Sequence, residues 1–277
     1  MSGRPIDHIV LAVRSLETAA QTYEGLGFTL TPRAFHEDRM GTSNRLAQFA
    51  GQNFIELLEV DRPDLLAPHD FQQTPPFFSF GDHNKSTTRD AMTMLVFAGD
   101  DARADIAAFA KADVPTYAPF DFDRQATLPN GQQVTVSFSL GFATSPDMPD
   151  LAFFVCQNRA PDYFWKPAFQ NHANGAQSIT AIYLASDNPA RDAAFIGKLF
   201  EGEITPVDGG LSVACGPQQA VHVLTPDTIA ALDPSFQVDS YANPAFAGIE
   251  ISAPAARTTV PSTAAHGVFI ARAVRGA

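Results

Sequence analysis

A repeated order of strand and helix patterns is the feature that most constrains how this chain can fold. In the first unit, Ile6–Val13 is a short apolar run typical of a buried strand, and Leu16–Gly25 has apolar residues at helical spacing. Three more predicted strands follow, at Thr29–His36, Asn44–Phe49 and Phe54–Val60. The unit is therefore β-α-β-β-β, and it has one apolar sheet face that it cannot bury alone.

The same order of elements is predicted again further along the chain. The second unit comprises the strand Met92–Ala98, the helix Ala102–Lys111, a hairpin of Phe120–Leu128 and Gln133–Phe142 turning at Pro129–Gly131, and the strand Leu151–Cys156. The third comprises the strand Ile179–Ala185, the helix Pro189–Phe200 and the strands Ile204–Val207, Leu211–Ala214 and Ala220–Leu224. A shortened fourth unit keeps the strands Phe246–Ser252 and Gly267–Ala273, its helix being lost or compressed into Pro254–Thr259.

The repeat predicts an α+β fold in which tandem βαβββ units pair into two modules. Each module is a curved sheet around a concave cavity, with its helices outside. The first module comprises residues 1–157, and the second, which is degenerate, comprises residues 178–277. Residues 158–177 form a connector, because Asn158–Pro161 and Asn171–Gly175 break the periodicity.

Charge and cysteine content narrow the classes of partner. The formal net charge is −12 without any run of Lys or Arg, which argues against nucleic acid and membrane partners. No apolar stretch approaches the roughly 18 residues that span a bilayer, and no secretory leader pattern precedes Ile6. Cys156 and Cys215 lie outside any CxxC pattern, so no disulfide framework is expected. We expect a cytoplasmic protein that binds a small molecule, as a monomer or a homodimer.

Several segments resemble one protein family. DHIVLAVRSLETAAQTYEGLGF, followed later by QNFIELLEV, resembles the vicinal oxygen chelate superfamily, and more narrowly its glyoxalase-like members. GTSNRLAQF, FDFDRQATLPNGQQVTVSFSLGF and FWKPAFQNHANGA are similar to the same subgroup. The resemblance covers most of Ile6–Gly175 and the remainder only loosely. It implies paired βαβββ folds, often with a divalent metal in the cavity.

The resemblance implies metal ligands at His8 on the first strand and Glu56 on the last strand of the first unit. An imidazole nitrogen and a carboxylate oxygen suit Zn²⁺, Fe²⁺, Mn²⁺ or Ni²⁺. The corresponding positions of the second unit align with Thr93 and Phe153, and neither is an ordinary ligand. Half of the expected set is therefore present.

A third ligand would have to come from elsewhere, and the candidates are His36, Glu37 and His83. Without a metal, His8 and Glu56 would instead form a hydrogen-bonded polar pair inside the cavity. In the third unit His222 aligns with Glu56, but Ala181 aligns with His8, so no metal site is expected in the second module.

Five residues are candidates for substrate binding, and the first of them is His36. Asn44 and Arg45 together suit a carboxylate or carbonyl group, unless Arg45 points outward to Glu37 or Asp38. Phe80 belongs to the aromatic run Pro75–Gly81, which forms either a pocket wall or simple packing over the sheet end. His172 follows Trp165 in the connector and acts either as a general acid or base or as a cap for local backbone groups.

Two functions fit these residues. The first is a metal-assisted lyase, isomerase or dioxygenase that binds the oxygens of a small substrate, with Glu56 as a catalytic residue. The alternative is a metal-free protein that binds or sequesters a small compound, as the bleomycin-resistance type of the superfamily does. Loss of half of the ligand positions favours the second function, whereas retention of both His8 and Glu56 favours the first.

Overall fold

The computed structural model of the chain contains two curved β-sheets and six α-helices in the part that it describes. It describes residues 3–74, 76–85, 89–127, 131–237, 244–254 and 258–274. Pro75, most of the predicted turn Pro129–Gly131 and the middle of the predicted loop Pro254–Thr259 lie outside these ranges. The α+β class and the two curved sheets predicted from the repeat are confirmed.

The first sheet has eight strands in the spatial order β2-β3-β4-β1-β5-β8-β7-β6. They are β1 (Ile6–Ala12), β2 (Ala34–Phe35), β3 (Thr42–Gln48), β4 (Phe54–Val60), β5 (Ala91–Ala98), β6 (Phe120–Thr127), β7 (Gln133–Ala143) and β8 (Ala152–Asn158).

The second sheet has seven strands in the order β10-β11-β12-β9-β13-β15-β14. They are β9 (Ser178–Ala185), β10 (Ile204–Val207), β11 (Gly210–Ala214), β12 (Ala220–Leu224), β13 (Ala245–Ala253), β14 (Thr258–Val260) and β15 (Phe269–Val274). The helices are α1 (Leu16–Gly25), α2 (Phe80–Lys85), α3 (Ala102–Lys111), α4 (Pro161–Phe164), α5 (Pro189–Phe200) and α6 (Pro226–Leu232).

Strand pairing follows the repeat. In each unit the first strand pairs in parallel with the last, as β1 does with β4 and β9 with β12. The first strands of two neighbouring units then pair antiparallel, as β1 does with β5 and β9 with β13. Each sheet is therefore two units joined edge to edge.

The major helices begin at side-chain caps. Ser15 accepts a hydrogen bond from the backbone N–H of Thr18 at the start of α1, and Asp101 accepts two such bonds at the start of α3. These local signals explain why the predicted bounds of α1, α3 and α5 agree with the structure. No helix in the described ranges is long and apolar enough to cross a membrane.

One apolar core joins the two sheets. It contains residues of α1, α3 and α5 together with one face of each sheet, so the sheets lie back to back with their helices between them. The ring centroids of Phe97 on β5 and Phe200 on α5 are 4.8 Å apart, and Phe153 on β8 contacts Phe246 on β13. The concave faces of both sheets consequently point away from this shared core.

Some predicted elements were wrong. The strand predicted at Thr29–His36 is reduced to Ala34–Phe35, because Pro32 has no backbone N–H to donate to a neighbouring strand. The end of the predicted loop Pro254–Thr259 belongs to β14, which pairs with β15. Helices α2, α4 and α6 were not predicted.

Candidate functional site

A cavity of about 50 Å³, which we call the inner cavity, lies on the concave face of the first sheet. Its apolar wall is aromatic and includes Phe54, Phe80, Phe122, Phe138, Phe154 and Phe164. Its main polar side chains are His8, His36, Asn44, Glu56 and Arg124. The predicted site residues His8, His36, Asn44, Glu56 and Phe80 line this cavity, whereas Arg45, His172 and the candidate third ligands Glu37 and His83 do not.

Glu56 is the buried carboxylate of the inner cavity. Its Oε1 accepts a hydrogen bond of 2.7 Å from Nδ2 of Asn44, and its Oε2 lies 3.6 Å from Nε2 of His8. Nε2 of His36 is also 3.6 Å from Oε1. Burial raises the pKa of Glu56, although His8, Asn44 and Arg124 favour the charged form. The carboxylate is therefore a stronger base than an exposed glutamate.

His8 is held in one orientation from two sides. Its Nδ1 donates to the carboxylate of Asp7, because a carboxylate only accepts, and its ring stacks on Phe54 with centroids 4.2 Å apart. Its other ring nitrogen, Nε2, faces Glu56. Asp7 was not among the predicted site residues.

His36 is a neutral imidazole at pH 7. Burial, reinforced by the charges of Arg124 and Arg62, lowers the pKa of His36 to about 3. Its Nδ1 lies 2.7 Å from the hydroxyl of Thr42, and its Nε2 accepts from Nδ2 of Asn44 at 3.1 Å. The Asn44 amide group therefore donates to both His36 and Glu56 and fixes their relative positions.

Arg124 is a second site residue, besides Asp7, that was not predicted from the sequence. It extends from β6 into the inner cavity, and its Nε is buried without a hydrogen-bond partner. Burial lowers the pKa of Arg124, while Glu56 raises it. The alternation of side chains along a strand could have indicated it, because Phe122 and Arg124 lie on the same face of β6. Phe122 also lines the cavity. Oδ1 of Asn44 is a second buried polar atom without a partner.

The predicted alignment of the second unit with the first, which matched Thr93 to His8 and Phe153 to Glu56, is off by one residue. Val10 on β1 pairs with Glu56 on β4, and the matching pair that also faces the inner cavity is Val96 on β5 with Phe154 on β8. Phe153 instead faces the shared core.

The predicted ligand position Thr93 lies at a register shift between β1 and β5, and its hydroxyl donates to Asn84. A shift of one residue reverses the face of a strand, which explains the error. The corrected position, Met94, belongs to the apolar cluster around the inner cavity. The second unit therefore still supplies no metal ligand at these positions.

The residues of the inner cavity do not fit a divalent cation in the observed arrangement. Within the described ranges, no three or more His, Cys, Asp or Glu side chains are arranged to hold a metal ion. The amide nitrogen of Asn44 lies between Glu56 and His36, where it donates to both. The guanidinium of Arg124 lines the same cavity and would repel a second cation.

Arg45 does not reach the inner cavity. Alternation along β3 gives the cavity face to Asn44 and Leu46, so Arg45 points to the opposite side. There its guanidinium donates to the backbone carbonyl of Thr31 at 2.8 Å and to Glu24 at 2.7 Å. Arg45 therefore lies outside the inner cavity, and its acidic partner is Glu24 rather than Glu37 or Asp38.

His172 is also used elsewhere. Its Nδ1 accepts from the backbone N–H of Thr29 at 2.9 Å, and its Nε2 donates to the carbonyl of Gln48 at 2.8 Å. Both ring nitrogens are therefore occupied by the backbone, as in the capping alternative. Of the other candidate ligands, Glu37 pairs with Arg39, and His83 packs against Phe78 outside the inner cavity.

Known proteins share this architecture. A family model for the glyoxalase-like domain matches residues 6–200. A hypothetical protein from Staphylococcus aureus has a TM-score of 0.73 at 14% identity, over 98% of this chain and 99% of its own. A variant of 4-hydroxymandelate synthase from Streptomyces coelicolor has a TM-score of 0.50 at 12% identity, over 95% of this chain and 78% of its own. The Mn(II)-bound glyoxalase from Novosphingobium aromaticivorans has a TM-score of 0.51 at 11% identity, over 91% and 66%.

These low identities show a common fold and nothing about substrate. No match was found among curated proteins.

Proposed function

Since the chain belongs to the glyoxalase-like domain family of the vicinal oxygen chelate superfamily, we propose that its inner cavity is the active site of a lyase or isomerase acting on a small carbonyl compound. The observation that supports this most directly is the environment of Glu56. It is a buried carboxylate with a raised pKa, and an arginine with an unpartnered donor lines the same cavity. A base and an electrophile in one apolar cavity are the requirements of proton abstraction beside a carbonyl group.

In the proposed reaction, Oε2 of Glu56 takes the proton from the carbon next to the carbonyl group. The electron pair of that C–H bond forms a carbon–carbon double bond, and the carbonyl oxygen takes the negative charge. Nε of Arg124 donates a hydrogen bond to this oxygen. If the carbon that loses the proton carries a hydroxyl group, the proton of that hydroxyl moves to the former carbonyl oxygen and Glu56 returns its proton to the former carbonyl carbon, which completes an isomerisation. If the next carbon carries a leaving group, the carbonyl group re-forms and the leaving group departs with its electron pair, which completes an elimination.

The positions of the other polar groups support these roles. Asn44 occupies Oε1 of Glu56, whereas Oε2 has no hydrogen-bond donor among the described residues and is free to receive a proton. His8, oriented by Asp7, places its Nε2 3.6 Å from the same oxygen and provides a route for the proton out of the cavity. Aromatic side chains exclude water, which strengthens each of these interactions.

A metal-assisted form of this chemistry is the second candidate. It is supported by the equal distances of 3.6 Å from Glu56 to Nε2 of both His8 and His36. It is also supported by the Mn(II)-bound glyoxalase that shares the fold. It requires the Asn44 amide to leave its position between Glu56 and His36.

Hydrogen–deuterium exchange tests the proposed proton abstraction before the natural substrate is identified. Small ketones and hydroxyketones are incubated with the protein in D₂O, and the signal of the hydrogens beside the carbonyl group is followed by proton NMR. We expect accelerated exchange with the wild type and its loss in Glu56→Gln, which keeps the size of the side chain. A ligand that binds but never exchanges would instead support the function of binding without chemistry.

Elemental analysis separates the two candidates. The proposed reaction predicts exchange by protein that is free of Zn, Fe, Mn and Ni. A stoichiometric metal that is lost in both His8→Ala and Glu56→Ala, together with exchange that depends on it, would favour the metal-assisted enzyme.

A further inference from the structure

A second cavity of about 250 Å³ adjoins the inner cavity, and we call it the vestibule. The two share Asn44, Leu46, Arg124 and Phe164. The inner cavity alone is too small for a typical ligand, but the two together approach the lower limit of ligand sites, about 300 Å³. A substrate whose carbonyl group lies in the inner cavity must therefore extend into the vestibule.

The vestibule differs in charge from the rest of the molecule. The chain has 30 acidic and 18 basic residues, yet the residues that line the vestibule include Arg33, Arg124 and Lys166 and, in the described part of the chain, no Asp or Glu. Arg33 is paired with Asp61 and Glu59 just outside, so its charge is already balanced. Lys166 forms no ion pair with any described residue, and Arg124 has its unpartnered Nε at the inner end.

An unbalanced lysine in an acidic protein is the complement of a negatively charged ligand. The backbone N–H of Lys166 donates to the side-chain oxygen of Gln48, whose amide nitrogen donates to the carbonyl of Phe164. The ring of Phe164 in turn contacts Phe54 of the inner cavity. These contacts hold the backbone of Lys166 at the vestibule wall, which the residue lines. Lys166 is separated from the catalytic region by the aromatic ring of Phe164, which lines both cavities.

We infer that the substrate is an oxo acid, in which a carboxylate group binds Lys166 in the vestibule while the carbonyl group reaches Arg124 in the inner cavity. This inference rests on the proposed function, because it assumes that the inner cavity receives the carbonyl group. A monoanionic carboxylate fits better than a dianionic phosphate, because one unpaired lysine faces the vestibule and Glu56 lies beyond it.

Binding of matched acids and esters tests the inference. The probes are linear methyl ketones with a terminal carboxylate, from 4-oxopentanoate to 7-oxooctanoate, and their methyl esters. Trp165 is the single tryptophan and contacts Phe54 and Phe164 of the inner cavity, so its fluorescence reports binding. We expect at least one acid to bind about five- to tenfold more tightly than its ester, as a partly exposed ion pair predicts.

Substitutions assign this preference to one residue. Lys166→Gln should reduce the ratio of acid to ester affinity to about one, and Lys166→Glu should reverse it. Lys198→Gln is the matched control, because that lysine lies on α5 and contacts the backbone of Ala112, far from the vestibule residues; it should leave the ratio unchanged.

Three results would overturn the inference: equal binding of all acids and esters, a preference that persists in Lys166→Glu, or no binding of any acid. Tighter binding of the matched phosphonates than of the carboxylates would also overturn it, in favour of a phosphorylated substrate. These outcomes are independent of the proposed chemistry. Acid preference without deuterium exchange would contradict the proposed function alone, whereas exchange without acid preference would contradict the oxo-acid inference alone.

Discussion

The two sheets share their strand pairing and differ in what closes their concave faces. In the first sheet, β6 and β7 have 8 and 11 residues and form a long hairpin that supplies Phe122, Arg124 and Phe138 to the inner cavity. The corresponding edge strand of the second sheet, β14, has 3 residues. The comparison indicates that the hairpin, rather than the repeat itself, creates the inner cavity.

The two sheets also differ in the polar residues on the strands that pair in parallel within a unit. Val10 of β1 pairs with the buried Glu56 of β4, and at the matching position Tyr183 of β9 pairs with His222 of β12. His222 is half-buried, and its nearest charged partner is Glu250 on β13. The concave face of the second sheet also has an apolar cluster formed by α6 and Phe236. One scaffold thus holds a cavity on one side and a packed surface on the other.

The largest expected effect is on the rate of deuterium exchange when Glu56, but not the matching residue His222, is replaced by glutamine. Glu56→Gln should reduce the rate of deuterium exchange by about 10²- to 10⁴-fold, the usual contribution of a general base. His222→Gln should leave the rate within about twofold, because His222 lies on the second sheet and does not line the inner cavity. The comparison would fail if both variants lost activity equally. Exchange by the wild-type protein should also fall at acid pH with an apparent pKa above the usual value for glutamate, because the pKa of Glu56 is raised.

The next largest effect tests whether the two sheets unfold together. Phe200 is fully buried in the shared core and contacts Phe97 of the first sheet. Phe200→Ala should lower the free energy of unfolding by about 3–5 kcal/mol. Urea unfolding followed by Trp165 fluorescence and by circular dichroism should give coincident transitions in both proteins. Transitions that separate would show that the sheets are independent.

A smaller effect is expected at the polar contact between the sheets. The Asn53 amide donates to Ser178 and to the carbonyl of Ile179, and accepts from the Ile179 N–H at 2.9 Å. Asn53→Ala leaves this buried N–H without a partner and should cost about 1–3 kcal/mol. Gln21→Ala on the exposed face of α1 is the control and should change stability by less than about 0.5 kcal/mol. An equal loss in both variants, measured by thermal or urea unfolding, would contradict the assignment.

The smallest effect concerns pH. The pKa of His36 is about 3 in the folded protein, against 6.5 for an exposed histidine, so below pH 6.5 the unfolded chain binds a proton that the folded protein does not. Stability should therefore fall as the pH falls, by up to about 1.4 kcal/mol per pH unit from this residue. In His36→Gln, the free energy of unfolding, measured in urea at pH 6 and pH 5, should therefore change with pH less steeply, by about that amount. Identical slopes would show that His36 is already charged in the folded protein.

The sequence was sufficient for local features and for the repeat. The helices α1, α3 and α5 begin at caps or a proline, all readable from neighbouring residues, and the resemblance to the glyoxalase-like proteins is confirmed by the family match. His8 and Glu56 come together because β1 and β4 pair in parallel, which the repeat implies.

Features that depend on strand register were not predictable in the same way. Arg45 was assigned to the wrong face of β3, and the irregular pairing at Thr93 moved the alignment by one residue. Arg124 was missed because its distance from Glu56 along the chain is large, and only closure of the hairpin brings them into one cavity. The identity of a side chain shows its chemistry, but register decides where that chemistry is used.

The back-to-back packing of the sheets also determines which positions can tolerate amino-acid substitutions. On β12, Val221 and Val223 are fully buried in the core that both sheets share, whereas the intervening His222 is not. On β10, every residue from Ile204 to Val207 is exposed. A library of variants in the second sheet should therefore divide into alternating intolerant and permissive positions along β12, with a permissive edge at β10. New binding surfaces can be engineered there without disturbing the opposite side of the molecule.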